Sequence, residues 1–387
     1  MAYSSSFSSP SANVNLTVAE KLRHFSWSFL LVIIAIACLG FAMLYSAADG
    51  NADPWMSRQA LRFAVGLCGL IAVALVDFRF WLRYAYPLYA LAFLLLIYVE
   101  IAGHIGMGAQ RWIAVGPLQL QPSEMMKIAL VLALARYFHG LSLEDIGKPH
   151  YLIIPILMVF LPAGLVLMQP DLGTAGMLIL GGALLFFVAG VRLWKFVLVA
   201  LAGLTAVPVA WNSLHDYQKD RILTFLHPES DPLGAGYHIL QSKIAFGSGG
   251  LFGRGFLQGS QSHLSFLPER QTDFIFTMLA EELGMVGGLV LLGLYTLLIG
   301  YGIAIALRSR NQFGRLVAIG LSGNLFLYVF INMAMVMGLI PVVGVPLPLI
   351  SYGGTAMLTV LAGFGLIMSV YVNRDMRIGR LGGVPEE

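Results

Sequence analysis

The chain consists of long hydrophobic runs separated by short polar loops, and this pattern extends from about residue 26 to about residue 373. The runs are close to the ~20 residues that an α-helix needs to cross a bilayer. None of them alternates polar and apolar residues as a membrane β-strand does. The pattern therefore predicts ten membrane helices, at residues 26–47, 60–77, 82–103, 122–139, 151–168, 172–190, 193–212, 272–306, 316–338 and 353–373.

The longest interruption of this pattern lies between the seventh and eighth predicted helices, at residues 213–271. The first 25 residues are polar and rich in serine, and we expect a short disordered tail there. The apolar run after the tail is longer than the ~7–15 residues of a signal-peptide core, so it is predicted to be a membrane helix. The predicted fold is an all-α polytopic membrane protein, with one ten-helix domain at 26–373 and tails at 1–25 and 374–387.

The distribution of Lys and Arg residues indicates how the helices are oriented. An even number of helices places both termini on one side of the membrane. Fourteen Lys and Arg residues fall on that side and nine on the other. Because cytoplasmic loops carry the excess of basic residues, we predict that both tails are cytoplasmic and that the 213–271 loop is extracytoplasmic.

Composition supports the membrane class and excludes several others. Hydrophobic residues make up 58% of the chain and charged residues 11%, and the mean hydropathy is +0.81. The net charge of +3 does not indicate nucleic-acid binding, because the basic residues are spread over short loops. Cys38 and Cys68 lie inside apolar runs, so we expect small buried side chains rather than a disulfide. The eight His residues show no zinc-ligand spacing.

Basic residues on the outer face run against the topology rule, and binding of phosphate would explain them. One group lies between the third and fourth helices and includes Arg111 and Lys127, and another lies in the long loop and includes Lys243 and Arg254. Six glycines surround that second pair: Gly247, Gly249, Gly250, Gly253, Gly255 and Gly259. This glycine-rich segment could cradle a pyrophosphate or could simply be a re-entrant loop, and its spacing matches no known nucleotide-binding pattern.

The stretch FLPERQTDFIFTMLAEELG places carboxylates at the start of the eighth helix. Asp273 could cap the helix N-terminus, or it could face a polar cavity with Arg270 as its partner. Glu281 and Glu282 lie about 12–14 Å further along a regular helix, near the expected middle of the bilayer. We interpret them as buried polar support for a cavity, with Lys127 as the favoured partner.

Other polar positions point to the same cavity. Glu124 and Lys127 are three residues apart on one helical face, where they could pair with each other or line a cavity with Asp273. Asp171, in QPDLGTA, is more typical of a helix N-cap than of a catalyst. The PLPLISYGGTA stretch predicts irregular backbone at membrane depth, which is tolerated where it is buried or lines a cavity. Together these features suit a phosphorylated, lipid-linked substrate, but do not separate an enzyme from a transporter.

Several motifs carry a resemblance to a known family. They are QRW at Gln110–Trp112, QPSE at Gln121–Glu124, QPDLGTA at Gln169–Ala175, and then GSGGLFGRG, FLPERQTDFIF, AEELG and PLPLISYGG. In this order they resemble the SEDS family (shape, elongation, division and sporulation) of membrane peptidoglycan glycosyltransferases. The long loop and the C-terminal helix are most similar to the elongation branch, and the division branch is the near alternative.

The resemblance implies a multi-pass protein of the bacterial cytoplasmic membrane, with an active site that faces the periplasm or outside. It also implies polymerisation of lipid II, in which a sugar 4-hydroxyl attacks the anomeric carbon of a lipid-linked glycan and expels undecaprenyl pyrophosphate. By motif position, Asp273 corresponds to the family's essential acidic residue, and Glu124 to a functional glutamate of the fourth helix. A base of this kind would accept the proton of the incoming hydroxyl.

The leaving pyrophosphate would need positive charge around it. We expect substrate or pyrophosphate binding by Arg111, Glu124, Lys127, Lys243, Arg254 and Arg270, with or without a divalent cation such as Mg²⁺ or Mn²⁺. The metal ligands, if there are any, are not identified by the sequence.

The resemblance also implies a partner, a class B penicillin-binding protein whose membrane helix docks against the eighth and ninth helices and which contacts the outer loop. Other membrane proteins of the elongation complex are further expected partners. The chain has no Ser-x-x-Lys transpeptidase motif, so crosslinking is expected to come from that partner. The alternatives to an enzyme are a flippase for the lipid-linked precursor and a scaffold that activates the transpeptidase.

Overall fold

The structure is a computed structural model that describes residues 17–106, 109–116, 118–142, 144–213, 216–228, 235–259, 269–376 and 378–379. Its helices are α1 (Val18–Arg23), α2 (Trp27–Ala47), α3 (Met56–Leu75), α4 (Phe78–Ala102), α5 (Pro122–Gly140), α6 (Pro149–Met168), α7 (Leu172–Ala189), α8 (Leu193–Ser213), α9 (Asp216–Leu226), α10 (Ala235–Gly249), α11 (Ile275–Arg308), α12 (Gln312–Val336) and α13 (Gly354–Val372). All ten predicted membrane segments are therefore helical, within a few residues of the predicted bounds.

Eight of the described helices are long and apolar enough to cross a membrane: α2, α3, α4, α6, α7, α11, α12 and α13. α5 is less apolar because it carries Glu124, Lys127 and Arg136. α8 has 21 residues, and its described apolar part is Leu193–Ala206. Since both still form helices where the sequence predicts them, the prediction of an all-α polytopic membrane protein is confirmed.

α5 and α12 lie at the centre of the bundle. In α12, 72% of the most apolar window is buried, the highest share among the described spans. It packs against α5, α7, α11 and α13, while α5 also packs against α4 and α3 lies along α13. A central position lets α5 carry charged side chains, because they face protein rather than lipid. α8 differs from both, since none of its described side chains is buried.

A small antiparallel sheet lies between α4 and α5, which the hydrophobic pattern did not predict. Its strands are β1 (His104–Gly106), β2 (Ala109–Val115) and β3 (Leu118–Leu120), in that order. These strands are too short to appear as a periodic pattern among the long helices. The sheet matters because β2 carries Arg111 to the start of α7.

Some regions outside the helices differ from expectation. The predicted long loop at 213–271 contains two helices, α9 and α10, with residues 214–215, 229–234 and 260–268 outside the described part. The end of the predicted disordered tail forms α1, capped by Thr17 and Glu20 in a capping box. The remainder of that tail, residues 1–16, lies outside the described residues, and the domain boundaries stay predictions.

The two cysteines correct an expectation. Cys38 on α2 and Cys68 on α3 are free thiols, as expected, but both are exposed rather than buried. Both lie in spans whose apolar composition suits a lipid environment. They therefore occupy the outer faces of these helices and contribute nothing to the core.

Candidate functional site

Asp273 lies one residue outside the first turn of α11. The N-cap of this helix is Phe274, and no side chain caps the helix. The interpretation of Asp273 as a capping residue is therefore wrong. Among the described residues, none donates a hydrogen bond to its carboxylate. Burial, followed by the nearby carboxylates of Glu269 and Asp171, raises the pKa of Asp273 to about 6.

Arg270 does not pair with Asp273, which corrects the predicted partnership. Its Nη2 lies 3.3 Å from Oδ2 of Asp49, in the turn that follows α2. Pairing with the positive charge of Arg270 would have lowered the pKa of Asp273, whereas its pKa is raised. The carboxylate of Asp273 is thus surrounded by other acids rather than neutralised, which suits a proton acceptor.

The start of α7 lies beside Asp273. Asp171 is the N-cap of α7, and its carboxylate accepts bonds of 3.0 Å from both the backbone N–H and the hydroxyl of Thr174. The predicted capping role is confirmed. Gly173 packs so closely on the carbonyl of Val343 that an added Cβ would lie 2.8 Å from it. On the neighbouring Gly344, an added Cβ would lie 3.4 Å from Oδ2 of Asp273.

Arg111 holds this junction together. Its guanidinium donates bonds of 2.8 Å to the carbonyl of Gln169 and 2.7 Å to that of Pro170, and Nη1 lies 3.8 Å from Oδ2 of Asp171. The rigid planar fork of a guanidinium fixes both carbonyls in one geometry, which the flexible ammonium of a lysine does less well. These contacts support a role in orienting the start of α7, and the predicted contact with pyrophosphate stays a prediction.

Glu124 and Lys127 form a buried ion pair within α5. The distance from Lys127 Nζ to Glu124 Oε1 is 2.7 Å, and both side chains are under 5% exposed. The hydroxyl of Tyr328 on α12 accepts a short bond from Lys127 and donates one of 2.5 Å to Oε2 of Glu124. The predicted pairing of Lys127 with Glu281 or Glu282 is therefore wrong, because its ammonium faces Glu124 and Tyr328 instead.

Glu281 and Glu282 are fully buried on α11. Glu282 accepts a bond of 2.5 Å from the hydroxyl of Ser46 at the end of α2 and one of 3.3 Å from the N–H of Leu257. On Gly259, an added Cβ would lie 3.0 Å from Oε2 of Glu281. The glutamates therefore support the glycine-rich segment, not Lys127.

The predicted depth of these glutamates also needs correction. α11 contains a break at Gly284, where φ is 68° and ψ is −166°. The part after the break, residues 285–308, is about 36 Å long at 1.5 Å per residue. This part can cross a hydrocarbon core of ~30 Å by itself. The continuous span begins at residue 285. Glu281 and Glu282 precede it, on the side of Asp273, and so lie outside this span rather than at the middle of the bilayer.

The glycine-rich segment fills this break in α11. Here the carbonyls of Glu281 and Glu282 lose their usual helical partners, the N–H groups of residues 285 and 286. Instead, the carbonyl of Glu281 accepts from the N–H of Arg254 at 3.0 Å, and that of Glu282 from the N–H of Gly255 at 3.1 Å. In return, the N–H groups of residues 285 and 286 donate to the carbonyls of residues 250 and 251 at 3.0 and 3.1 Å.

Four backbone bonds thus replace two helical ones, and this arrangement is the backbone splice. It requires glycine at its closest points, because a Cβ on Gly253 would lie 2.1 Å from the carbonyl oxygen of Glu282. Gly284 has a backbone conformation that is essentially restricted to glycine. These glycines therefore serve the contact between two chain segments, and the re-entrant interpretation fits them better than a pyrophosphate cradle.

Lys243 and Arg254 keep exposed side chains. Lys243 on α10 lies beside Gly338 at the C-terminal end of α12, where an added Cβ would be 3.1 Å from its Nζ. A cation is favoured there by the helix dipole. Arg254 is fixed through its backbone by the splice. Both remain predicted phosphate-binding residues.

Arg270 and Glu282 bond to residues at and just after the end of α2, and two polar groups remain: Asp273 with Asp171 and Arg111, and Glu124 with Lys127 and Tyr328. The loop that contains Gly344 connects them, since Val345 belongs to the same buried cluster as Tyr328. Sequence reasoning missed Tyr328, Asn332 and Ser351, whose contacts hold this region. A buried Asn in an apolar span is a signal that could have been used, because polar residues inside a membrane are costly unless they have a role.

The described residues do not form a metal site by themselves. Within the described ranges, no three His, Cys, Asp or Glu residues are arranged closely enough to hold a metal ion. A divalent cation normally takes six or more oxygen ligands, several of which can come from a bound phosphate. The expectation of Mg²⁺ or Mn²⁺ stays a prediction, and no step below depends on it.

Comparisons with known proteins agree with this architecture. The model of a family described as cell cycle protein, FtsW/RodA/SpoVE, matches residues 26–376. The peptidoglycan glycosyltransferase MrdB of Escherichia coli K12 is 46% identical over 359 residues, which cover 91% of this chain and 95% of that protein. Stage V sporulation protein E of Bacillus subtilis is 39% identical and covers 88% of this chain and 96% of that protein.

A chain from a solved structure of a peptidoglycan synthase complex, described as coordinating polymerisation and crosslinking, is also similar. It has a TM-score of 0.79 and 36% identity, and the alignment covers 90% of this chain and 98% of that chain. The family match extends from α2 to the residues after α13. The chain therefore belongs to the FtsW/RodA/SpoVE family of membrane proteins, as its motifs predicted.

Proposed function

We infer that this chain is a peptidoglycan glycosyltransferase that polymerises lipid II into glycan strands for cell-wall elongation. The name of the E. coli relative supports the activity, at 46% identity over nearly the whole chain. The observation that carries the mechanism is the carboxylate of Asp273. No described residue donates a hydrogen bond to it, it is largely buried, and its pKa is raised to about 6.

The reaction forms one glycosidic bond and breaks one bond to phosphate. The 4-hydroxyl of the acceptor sugar attacks the anomeric carbon of the donor, its proton passes to Asp273, and undecaprenyl pyrophosphate leaves with the electron pair. A single inversion of this kind needs one base and a good leaving group, not the carboxylate pair of a retaining glycosidase. A pKa near 6 keeps the base deprotonated at neutral pH, yet more basic than an ordinary Asp.

The leaving group is expected to interact with the cations around the site. Lys243 and Arg254 are exposed residues in and beside the glycine-rich segment, so they are our first candidates for the pyrophosphate. Arg111 and Lys127 are already engaged with Asp171 and Glu124, so we assign them to the shape and charge balance of the cavity. Arg270 balances Asp49 at the rim. Positive charge that is fixed before the reaction stabilises the charge that develops on the leaving oxygen.

The distribution of Lys and Arg residues supports a proposal for which side of the membrane the site faces. We propose that Asp273 faces the outside of the bacterial cytoplasmic membrane and that both termini are cytoplasmic, because the side with the termini carries the excess of basic residues. Lipid II presented on the outer leaflet would then reach the site laterally. The exposed faces of α8 leave room for this approach, since no described side chain of α8 is buried.

A transpeptidase partner fits the surface of α11. An open apolar groove of about 740 Å³ runs along this helix, and it is lined by Leu289, Leu292, Gly293, Thr296, Leu297, Gly300, Tyr301 and Ala304. The small residues of this groove, Gly293, Gly300 and Ala304, let a second membrane helix approach closely. We propose that the membrane helix of a class B penicillin-binding protein occupies it. The related synthase complex, described as coordinating polymerisation and crosslinking, supports this proposal.

One experiment tests the activity and its alternatives. Purified protein, together with its penicillin-binding protein, is incubated with lipid II in detergent, and glycan polymer is measured for wild type, Asp273→Asn and the control Asp145→Asn. Asp145 is suitable because it lies in the turn between α5 and α6, where it is half-buried and pairs with Lys148. We expect polymer from wild type and from the control, and none from Asp273→Asn. Polymer from Asp273→Asn would show that Asp273 is not the base.

Two further arms address the remaining alternatives. Lipid II scrambling by vesicles that contain the protein, without any polymer, would favour a flippase. Transpeptidase stimulation in the absence of polymer would favour a scaffold. Repeating the assay with a chelator and with added Mg²⁺ or Mn²⁺ tests the divalent cation directly, because a required cation would make the rate fall with the chelator and recover with the metal.

A further inference from the structure

Three consecutive backbone carbonyls lead up to α11, and each accepts a hydrogen bond from the C-terminal third of the chain. The carbonyl of Gln271 accepts from the N–H of Tyr352 at 2.8 Å, and that of Thr272 from the hydroxyl of Ser351 at 2.6 Å. The carbonyl of Asp273 accepts from Nδ2 of Asn332 at 2.9 Å. This set of three bonds, the carbonyl clamp, holds the segment that carries the candidate base.

Asn332 links the backbone of Asp273 to the loop that borders its carboxylate. It is fully buried on α12, and its Nδ2 also donates a bond of 2.7 Å to the carbonyl of Val345. The preceding residue, Gly344, lies against the Asp273 carboxylate, with φ at +70°. One amide group therefore fixes both the backbone of Asp273 and the loop that borders its side chain.

Ser351 has a similar double contact. Its hydroxyl accepts a bond of 2.7 Å from the N–H of Leu347 while it donates to Thr272. Its own carbonyl accepts a bond of 2.9 Å from the buried side chain of Gln59 on α3. The hydroxyl of Ser351 thus links the loop before α13 to the residue that precedes Asp273, and α3 supports this loop from behind.

These bonds matter because no described residue donates a hydrogen bond to the carboxylate of Asp273. A carboxylate without donors on its oxygens is oriented only by its backbone and by the surfaces around it. A displacement of about 1 Å at a reacting group can lower a rate by about 100-fold. The orientation of the base is therefore set by the residues that hold its backbone.

We propose that Asn332 and Ser351 are positioning residues that hold Asp273 through its backbone for proton transfer in the glycosyl transfer step. This inference rests on the proposed role of Asp273 as the base. It assigns a function to two polar side chains of the C-terminal third that the proposed reaction does not otherwise use. Their effect is expected on the chemical step, because both side chains donate to the backbone that carries Asp273.

The test measures initial rates of lipid II polymerisation by the complex of full-length protein with its penicillin-binding protein. The variants are Asn332→Ala, Ser351→Ala and the conservative Ser351→Thr, which keeps the hydroxyl. The matched control is Ser322→Ala, a buried serine of α12 whose hydroxyl bonds only to the carbonyl of Ala318 in its own helix. Thermal unfolding and gel filtration check that each variant is folded.

We expect Asn332→Ala and Ser351→Ala to lower kcat by about 10- to 100-fold while KM for lipid II stays near the wild-type value. Ser351→Thr should recover most of the lost kcat, and Ser322→Ala should behave as wild type. If Asn332→Ala does not fold, the pair Ser351→Ala and Ser351→Thr carries the test. A general loss of structure would affect stability in both members of this pair and would not be rescued by a hydroxyl.

Three results would overturn the inference. The first is kcat values for both alanine variants equal to that of Ser322→Ala, with Asp273→Asn inactive, which leaves the base in place but removes the positioning role. The second is a rise in KM with unchanged kcat, which would assign the clamp to substrate binding. The third is full activity of Asp273→Asn, which would remove the proposed base and the positioning role together.

Discussion

The ammonium of Lys127 lies 2.7 Å from the carboxylate of Glu124, one turn earlier in α5, and the hydroxyl of Tyr328 closes the group. The predicted acids of α11 are not its partners. A buried ion pair is costly to break, because removal of one partner leaves the other charge without compensation. The group therefore holds α5 and α12 together at the centre of the bundle.

We predict that Lys127→Met destabilises the protein by about 3–5 kcal/mol, whereas the double variant with Glu124→Gln loses much less than the sum of the two single changes. Thermal unfolding of the purified protein in detergent measures both effects. Lys148→Met is the matched control. Its pair with Asp145 has the same spacing and the same 2.7 Å distance, but lies at the surface. Equal losses for the buried and the exposed pair would contradict the prediction.

The polymerisation rate should depend on the protonation of Asp273. Burial and the carboxylates of Glu269 and Asp171 raise its pKa to about 6. Because a base must be deprotonated to accept a proton, kcat/KM should be constant above this pKa and fall about tenfold per pH unit below it. The pH profile of kcat/KM with lipid II measures this limb.

Glu269→Gln provides a sharper form of the same prediction. Removal of a neighbouring negative charge makes ionisation of Asp273 easier, so its pKa should fall and the acid limb should move to lower pH. The amide can still accept the bond of 2.8 Å that the hydroxyl of Thr272 donates to Glu269. Glu144→Gln, an exposed residue after α5, is the control. A limb that moves equally in both variants would not come from this carboxylate pair.

Gly284→Ala should disrupt the backbone splice. Alanine is strained at the observed φ and ψ by about 1–3 kcal/mol, and it can relieve the strain by continuing the helix. A continuous helix would pair residues 281 and 285 again and release the glycine-rich segment. We expect faster amide hydrogen exchange at Arg254 and Gly255, which donate to α11 only in the spliced arrangement.

The control for this change is Gly164→Ala on α6, where an added Cβ meets no atom within 4 Å. It should leave exchange at Arg254 unchanged. Protection at residues 285 and 286 should persist in Gly284→Ala, because their N–H groups are bonded in either arrangement. Unchanged exchange at Arg254 and Gly255 in Gly284→Ala would mean that the splice does not depend on the break.

Arg111→Lys distinguishes an orienting role from simple charge. Lysine keeps the positive charge but lacks the rigid planar fork that holds the carbonyls of Gln169 and Pro170 in one geometry. We therefore expect Arg111→Lys to lose as much polymerisation activity as Arg111→Gln. If Arg111 instead binds pyrophosphate mainly through its charge, Lys should retain much of the activity that Gln loses. Arg83→Lys, an exposed residue of α4, serves as the control for the substitution itself.

Sequence alone determined the features that depend on neighbouring residues. The ten helices follow from the length of each apolar run, since a bilayer-spanning helix must satisfy its backbone bonds internally. The N-cap at Asp171 and the spacing of Glu124 and Lys127 are also local, because both sets of contacts span three residues. The family followed from motifs in a fixed order.

Tertiary structure decided the partners of the remaining charges. Glu282 accepts from Ser46, which is 236 residues away in the sequence, and Arg270 pairs with Asp49 across 221 residues. No periodic pattern relates such positions, because they meet only after α2 and α11 have packed.

The backbone splice and the carbonyl clamp depend on the fold for the same reason. The splice consists of main-chain groups, which are identical in every residue, and two of the three clamp donors are the side chains of Asn332 and Ser351. The sequence therefore marks these contacts only by the glycines that permit close approach and by two polar residues whose acceptors it does not identify. The sequence therefore identified Asp273 as a candidate base. Only the packing of the bundle showed that no described residue donates to its carboxylate and that hydrogen bonds to its backbone hold it in place.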